Sequence, residues 1–128
     1  MLYVREAKGT VAEVVERLQQ ATTDNKFGII ETIDLRAKMA EKGVEFDREC
    51  VILEVCNPRQ AKKVLEGDMA VSTVLPCRIS VYEQGGKVRV ATLKPTGLVS
   101  LFEESVSLQG VAREVEEAIL RIIEEACE

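Results

Sequence analysis

The chain has 128 residues, 46% hydrophobic and 30% charged, with a formal net charge of −5. That length suits one domain spanning residues 1–128, with roughly two-thirds of the unfolded surface buried on folding. No apolar run approaches the ~20 residues that cross a bilayer, and the acidic balance disfavours a phosphate-backbone partner, so neither membrane nor nucleic acid is expected.

The opening MLYVREAKG lacks a basic segment followed by an apolar core of signal-peptide length, which makes the cytoplasm the expected compartment. Leu2, Tyr3 and Val4 read as a short strand. Thr10 and Glu13 then have capping-box spacing, and Val11, Val14, Val15 and Leu18 place one apolar stripe on the helix that follows, which ends at TTDN. Phe27 to Ile33 is a strand with Gly28 near its start. Asp34 caps a short helix carrying Leu35 and Met39 and closed by Gly43.

CVILEVC, Cys50 to Cys56, alternates so that Val51, Leu53 and Val55 share a core face while Cys50, Ile52, Glu54 and Cys56 share the other. Asn57 is an N-cap, Pro58 fits the first helical position, and Gln60 completes a box-like cap for a helix ending at Gly67. From Pro76 to Pro95, Gly85-Gly86 forms a two-residue hairpin loop pairing Glu83 with Val88, Val81 with Val90 and Ile79 with Thr92. Cys77 then lies on the apolar side with Ile79 and Val81, opposite Arg78, Ser80 and Tyr82. A long final helix carries Val111, Val115, Ala118, Ile119, Ile122, Ile123 and Ala126 on one broad stripe. The order predicts an α+β fold: an antiparallel or mixed sheet with helices packed on one face, leaving the other face open as a dimer interface or ligand surface.

Histidine is absent, which removes any Ser-His-Asp or Cys-His pair within the chain and every zinc site that needs imidazole. Classical hydrolysis is not expected, although carboxylate- or lysine-based catalysis stays open. With no tryptophan and few other aromatics, neither a base-stacking platform nor an aromatic cage is expected.

Four cysteines carry the remaining chemistry. Cys50 and Cys56 lie about 20 Å apart along one strand, far beyond the ~7 Å limit for a disulfide. Cys127 sits among glutamates, whose negative potential raises a thiol pKa. Cys56 immediately precedes a helix cap, where unsatisfied amides and the helix dipole favour a thiolate. Cys77 joins it if the segment after Gly67 returns to the same end of the sheet. Two thiolates there can hold copper(I) or another soft metal, or form a reversible disulfide. Against that, strand alternation puts the two on different faces, and unpaired cysteines are often simply buried.

Glu54 is a further candidate ligand or base, against the plainer expectation of a solvated or cross-strand-paired carboxylate. Arg59, Lys62 and Lys63 can draw an anion to the N-terminus of their helix, but exposed charge on a helix needs no such role. Gly85-Gly86 lacks the spacing of a phosphate loop.

The runs FGIIETIDLRAKMAEKGVEF, CVILEVCNPRQAKKVLEGD and VLPCRISVYEQGGKVRVATLKP, between Phe27 and Pro95, resemble the prokaryotic family known as domain of unknown function three hundred and two. The resemblance implies a small α+β fold grouped with TATA-box-binding-protein-like domains, a curved antiparallel sheet with helices on one side. It implies no DNA binding and no established activity. Its pattern includes Cys56, Asn57, Pro58, Ala61 and Cys77, but not Cys50. The function expected is a small-molecule- or partner-binding module acting as a homodimer and needing no cofactor. The alternative is a thiol site at Cys56 and Cys77.

Overall fold

Val11, Val14 and Leu18 on one helix meet Ile119, Ile122 and Ile123 on another, each no more than 2% exposed, and both helices lie over the same side of a sheet. In this computed structural model, which describes residues 1–103 and 105–128, the strands are β1 (Leu2–Ala7), β2 (Gly28–Asp34), β3 (Cys50–Cys56), β4 (Cys77–Gln84) and β5 (Lys87–Leu93). The helices are α1 (Val11–Asp24), α2 (Leu35–Glu41), α3 (Pro58–Gly67), α4 (Pro95–Val99) and α5 (Ser105–Cys127), with a 3-10 helix over Met69–Val74. The 3-10 helix and α4 were not legible from periodicity, because neither is long enough to display a full apolar repeat.

The sheet runs β1-β5-β4-β3-β2 and every neighbouring pair is antiparallel, which settles the choice between antiparallel and mixed. β1 extends to Ala7, beyond the expected Val4, because pairing of Arg5 with Val90 and Glu6 with Arg89 holds those polar residues extended. Gly85 and Gly86 have φ of 61° and 76°, the doubly positive conformation of a type I′ hairpin turn. The hairpin pairs Val81 with Val90 and Glu83 with Val88, in the expected register.

Local rules fix the helix ends. Thr10 Oγ1 accepts from Glu13 N at 3.2 Å while Glu13 Oε1 accepts from Thr10 N at 3.1 Å, a complete capping box. Asp34 accepts from Ala37 N at 2.9 Å to start α2, and Gly43 follows it with φ 76°. Leu53, Val55, Ile79, Val81 and Val90 project from the sheet into the α1–α5 layer, all fully buried. Burying each such side chain is worth about 1.5–3 kcal/mol, so this layer dominates the stability.

A second cluster, Val64, Val71, Val99, Leu108 and Ala112, joins α3, the 3-10 helix, α4 and α5 beyond one end of the sheet. It draws α3 and α4 together over the C-terminal end of β3. The sheet's other face bears an uncharged row crossing all five strands, Val4, Ala91, Ser80, Ile52 and Ile33, in continuous register.

Candidate functional site

β3 ends at Cys56, and the next residue caps α3: Asn57 Oδ1 accepts from Arg59 N at 3.1 Å and from Gln60 N at 3.3 Å. Pro58 occupies the first turn, where its missing N–H costs no bond. Those helix-start amides are therefore already occupied, and Asn57 is accounted for as a cap. The expected reciprocal bond from the Gln60 side chain is not formed. Gln60 Nε2 instead donates to Glu114 Oε2 on α5 at 2.9 Å, because α5 packs close enough to α3 to compete for it.

That diversion leaves Gln60 Oε1 buried with no hydrogen-bond partner among the described residues. The Gln60 side chain borders a cleft formed by the ends of β3 and β4, α3, the 3-10 helix, α4 and α5. The rest of the lining is largely apolar: Phe27, Val55, Val64, Val71, Val99 and Val115 are among its members. A buried carbonyl without a partner costs roughly 1–3 kcal/mol, so this atom demands a donor. The cleft holds about 50 Å³, room for a few water-sized groups or the end of a small ligand, and well short of a drug-sized molecule.

Cys56 and Cys77 both line this cleft. The ladder pairs Cys77 with Val55, one residue before Cys56, and strand alternation alone would part the two thiols across the sheet. Burial first, and the neighbouring Cys56 second, push the Cys77 thiol up to about 11. Burial also raises Cys56 from its ordinary value. The helix N-terminus thus does not depress the Cys56 pKa as expected, since desolvation of the thiolate outweighs it and Asn57 already takes the first amides. Neutral thiols are the forms favoured here near pH 7.

The other candidates fall elsewhere. Glu54 is on the opposite face of the sheet, only 9% exposed, with Arg78 Nε 3.3 Å from its Oε2 across the β3–β4 ladder. On its other side the β2–β3 ladder sets Glu31 opposite Glu54, so Glu54 stands between a like charge and the Arg78 guanidinium that pairs with it. Cys50 Sγ lies 3.9 Å from Ser80 Oγ on that face too. Cys127 is buried and its pKa is raised, by desolvation first and by Glu124 only secondarily, with Arg5 and Arg17 opposing. The glutamates therefore matter less than the sequence suggested. Arg59, Lys62 and Lys63 are exposed on α3. Among the described residues, no group of three or more metal-ligating side chains assembles, and no helix is long and apolar enough to cross a membrane.

Gln60 was visible in the sequence only as half of a cap. Its spacing from Ala61 and Val64 was the available signal, because those offsets put an amide on the inward stripe of α3.

A family model described as Domain of unknown function DUF302 matches residues 3–126. A crystal structure of an uncharacterized conserved DUF302 protein from Bacillus stearothermophilus is 31% identical and superposes with a TM-score of 0.91, covering 99% of this chain and 98% of that one. No curated protein matches the chain. With the match running from Tyr3 to Ala126, wider than the Phe27–Pro95 stretch that first suggested it, the chain belongs to the DUF302 family.

Proposed function

We propose that this domain binds a small molecule in the cleft at the end of β3, with Gln60 Oε1 as the group that recognises it. The observation that carries this is the buried Gln60 Oε1, without a partner among the described residues, on a side chain that borders an otherwise apolar cleft. Such a site selects a ligand with a hydrogen-bond donor (an amide, hydroxyl or amine) beside a short apolar group. About 50 Å³ of space limits what enters to a few heavy atoms, so either the ligand is small or only its donor-bearing end inserts. Cys56 and Cys77, as neutral thiols, serve as soft apolar wall on this view.

Native mass spectrometry of protein purified from its own host tests it. A bound mass that disappears on denaturation, and is missing from Gln60→Leu, is the expected result. A spectrum with no added mass, together with a crystal structure holding only water at Gln60 Oε1, overturns it.

A second function has one specific observation in its favour: two cysteines in one cleft. Two thiolates there would bind copper(I) or another soft metal, or close reversibly to a disulfide. The raised pKa values weigh against it, since both uses begin from thiolate. Stoichiometric copper(I) uptake by the wild type but not by Cys56→Ser would favour this site over the ligand cleft; no uptake by either would exclude its metal form.

A further inference from the structure

We propose that the free edge of β1 pairs with the β1 edge of a second copy of this chain, joining two sheets into one. The interaction surface is distinct from the cleft. Lys94 N donates to Met1 O at 2.7 Å, and those two positions continue the β1–β5 register in which Leu2 pairs with Leu93. In an antiparallel ladder the N–H and C=O of one residue point to the same side and alternate along the strand. Met1, Tyr3, Arg5 and Ala7 therefore spend their backbone groups on β5. Leu2, Val4 and Glu6 direct theirs outward, where among the described residues nothing meets them.

Edges of this kind are usually blunted, and the opposite edge is. β2 has a register irregularity between Ile29 and Glu31, with Ile30 standing 60% exposed at the break. β1 has no bulge and no proline over its six residues, and it exposes Leu2 and Val4 by 62% and 39%. Its charges, Arg5 and Glu6, are already paired with Glu124 and Lys87 of the same chain, so what they oppose in a further strand is partly neutralised.

A second copy fits this edge in one register. With Val4 opposite the partner's Val4, Leu2 falls opposite the partner's Glu6 and the reverse, so all the outward backbone groups find partners around a two-fold axis. The same register sets Tyr3 opposite the partner's Arg5 on the helix-covered face, in the closer, non-hydrogen-bonded type of pair. There the charges are complementary. Glu124 on α5 already accepts from Tyr3 Oη and Arg5 Nη1 of its own chain, and the partner's Arg5 arrives beside that acceptor. The exposed Val4 pair closes the other face as an apolar cross-strand contact.

The test is the mass in solution, by light scattering and sedimentation across concentration, of wild type, Val4→Pro, Val4→Lys and Ile52→Lys. Proline at position 4 removes an outward N–H only, so the chain's own ladder keeps its bonds, whereas a dimer loses two bonds at its centre. The wild type is expected at twice 14.2 kDa, Val4→Pro to raise the dissociation constant about thirtyfold from two lost bonds, and Ile52→Lys to leave it unchanged. Val4→Lys, which sets two like charges face to face, gives the same answer should the proline variant not fold. A monomeric wild type overturns the proposal. So does a dimer that survives both Val4 changes, or one that Ile52→Lys dissociates, which would place the contact on the open face instead.

Discussion

Val55, not Cys56, pairs with Cys77 across the β3–β4 ladder, yet both cysteines face one cleft. The chain turns into the Asn57 cap directly after Cys56, and strand alternation stops governing side-chain direction where the strand stops. A thiol assigned to the far face by its parity is thereby available to the near one. The same turn brings Gln60 inward, with its Oε1 left unpaired among the described residues.

The Cys77 thiol, held at about 11 by burial, should stay protonated and unreactive toward iodoacetamide up to pH 9, with Cys56 alkylated before it. The same shift has a sign in stability. A thiol raised in the folded state keeps its proton between the ordinary value of 9.0 and about 11 while the unfolded chain releases it, so its contribution is full below pH 9 and is lost as pH rises to 11. The loss is about 3 kcal/mol, and Cys77→Ala should flatten that part of the alkaline stability curve. Equal alkylation rates for the two cysteines at pH 8 would contradict the burial.

Thr10→Ala should cost about 1 kcal/mol in urea denaturation, because it deletes the acceptor for Glu13 N at the start of α1. Glu13 has its pKa lowered first by the backbone bond from Thr10 and then by the Thr10 side chain. The carboxylate's contribution is therefore present at neutral pH and fades as pH falls through its folded pKa. In Thr10→Ala that acid-side dependence should shrink but persist, since the backbone bond remains; complete loss would mean the box acts as one unit.

Leu18→Ala should destabilise by about 2–5 kcal/mol, lowering the melting temperature by roughly 10 °C or more for a chain of this size. Leu18 is fully buried between the sheet and α5, where the helices leave little freedom to collapse around a cavity. Calorimetry on this variant and on Ala40→Gly, an α2 change outside that layer, separates the loss of core volume from loss of helix propensity. A fall of under 1 kcal/mol for Leu18→Ala would place the main core elsewhere.

Gly86→Ala should cost about 1 kcal/mol although nothing lies within 4 Å of the added Cβ, because the strain lies in its φ of 76°. Gly85→Asn should be close to neutral, since asparagine is favoured at the first position of a type I′ turn. Equal costs at both positions would point to a turn of another type.

Elements whose chemistry is local were legible in the sequence. The Thr10, Asp34 and Asn57 caps, the Gly85-Gly86 turn and the hairpin register each follow from a few neighbouring residues, and each is found where the pattern put it. The apolar stripes of α1 and α5 announced a shared buried layer for the same reason: period fixes a face before any partner is known. α4 and the 3-10 helix were hidden by their brevity, and Glu54 by its parity alone, which gave the face but not the burial beside Arg78. What the tertiary structure alone decided is which ends meet. Whether Cys77 returns to Cys56, whether Gln60 caps its own helix or reaches Glu114, and which sheet edge stays unprotected depend on contacts between residues far apart in the chain. Such contacts are set by how the layers stack, and no short-range periodicity encodes them.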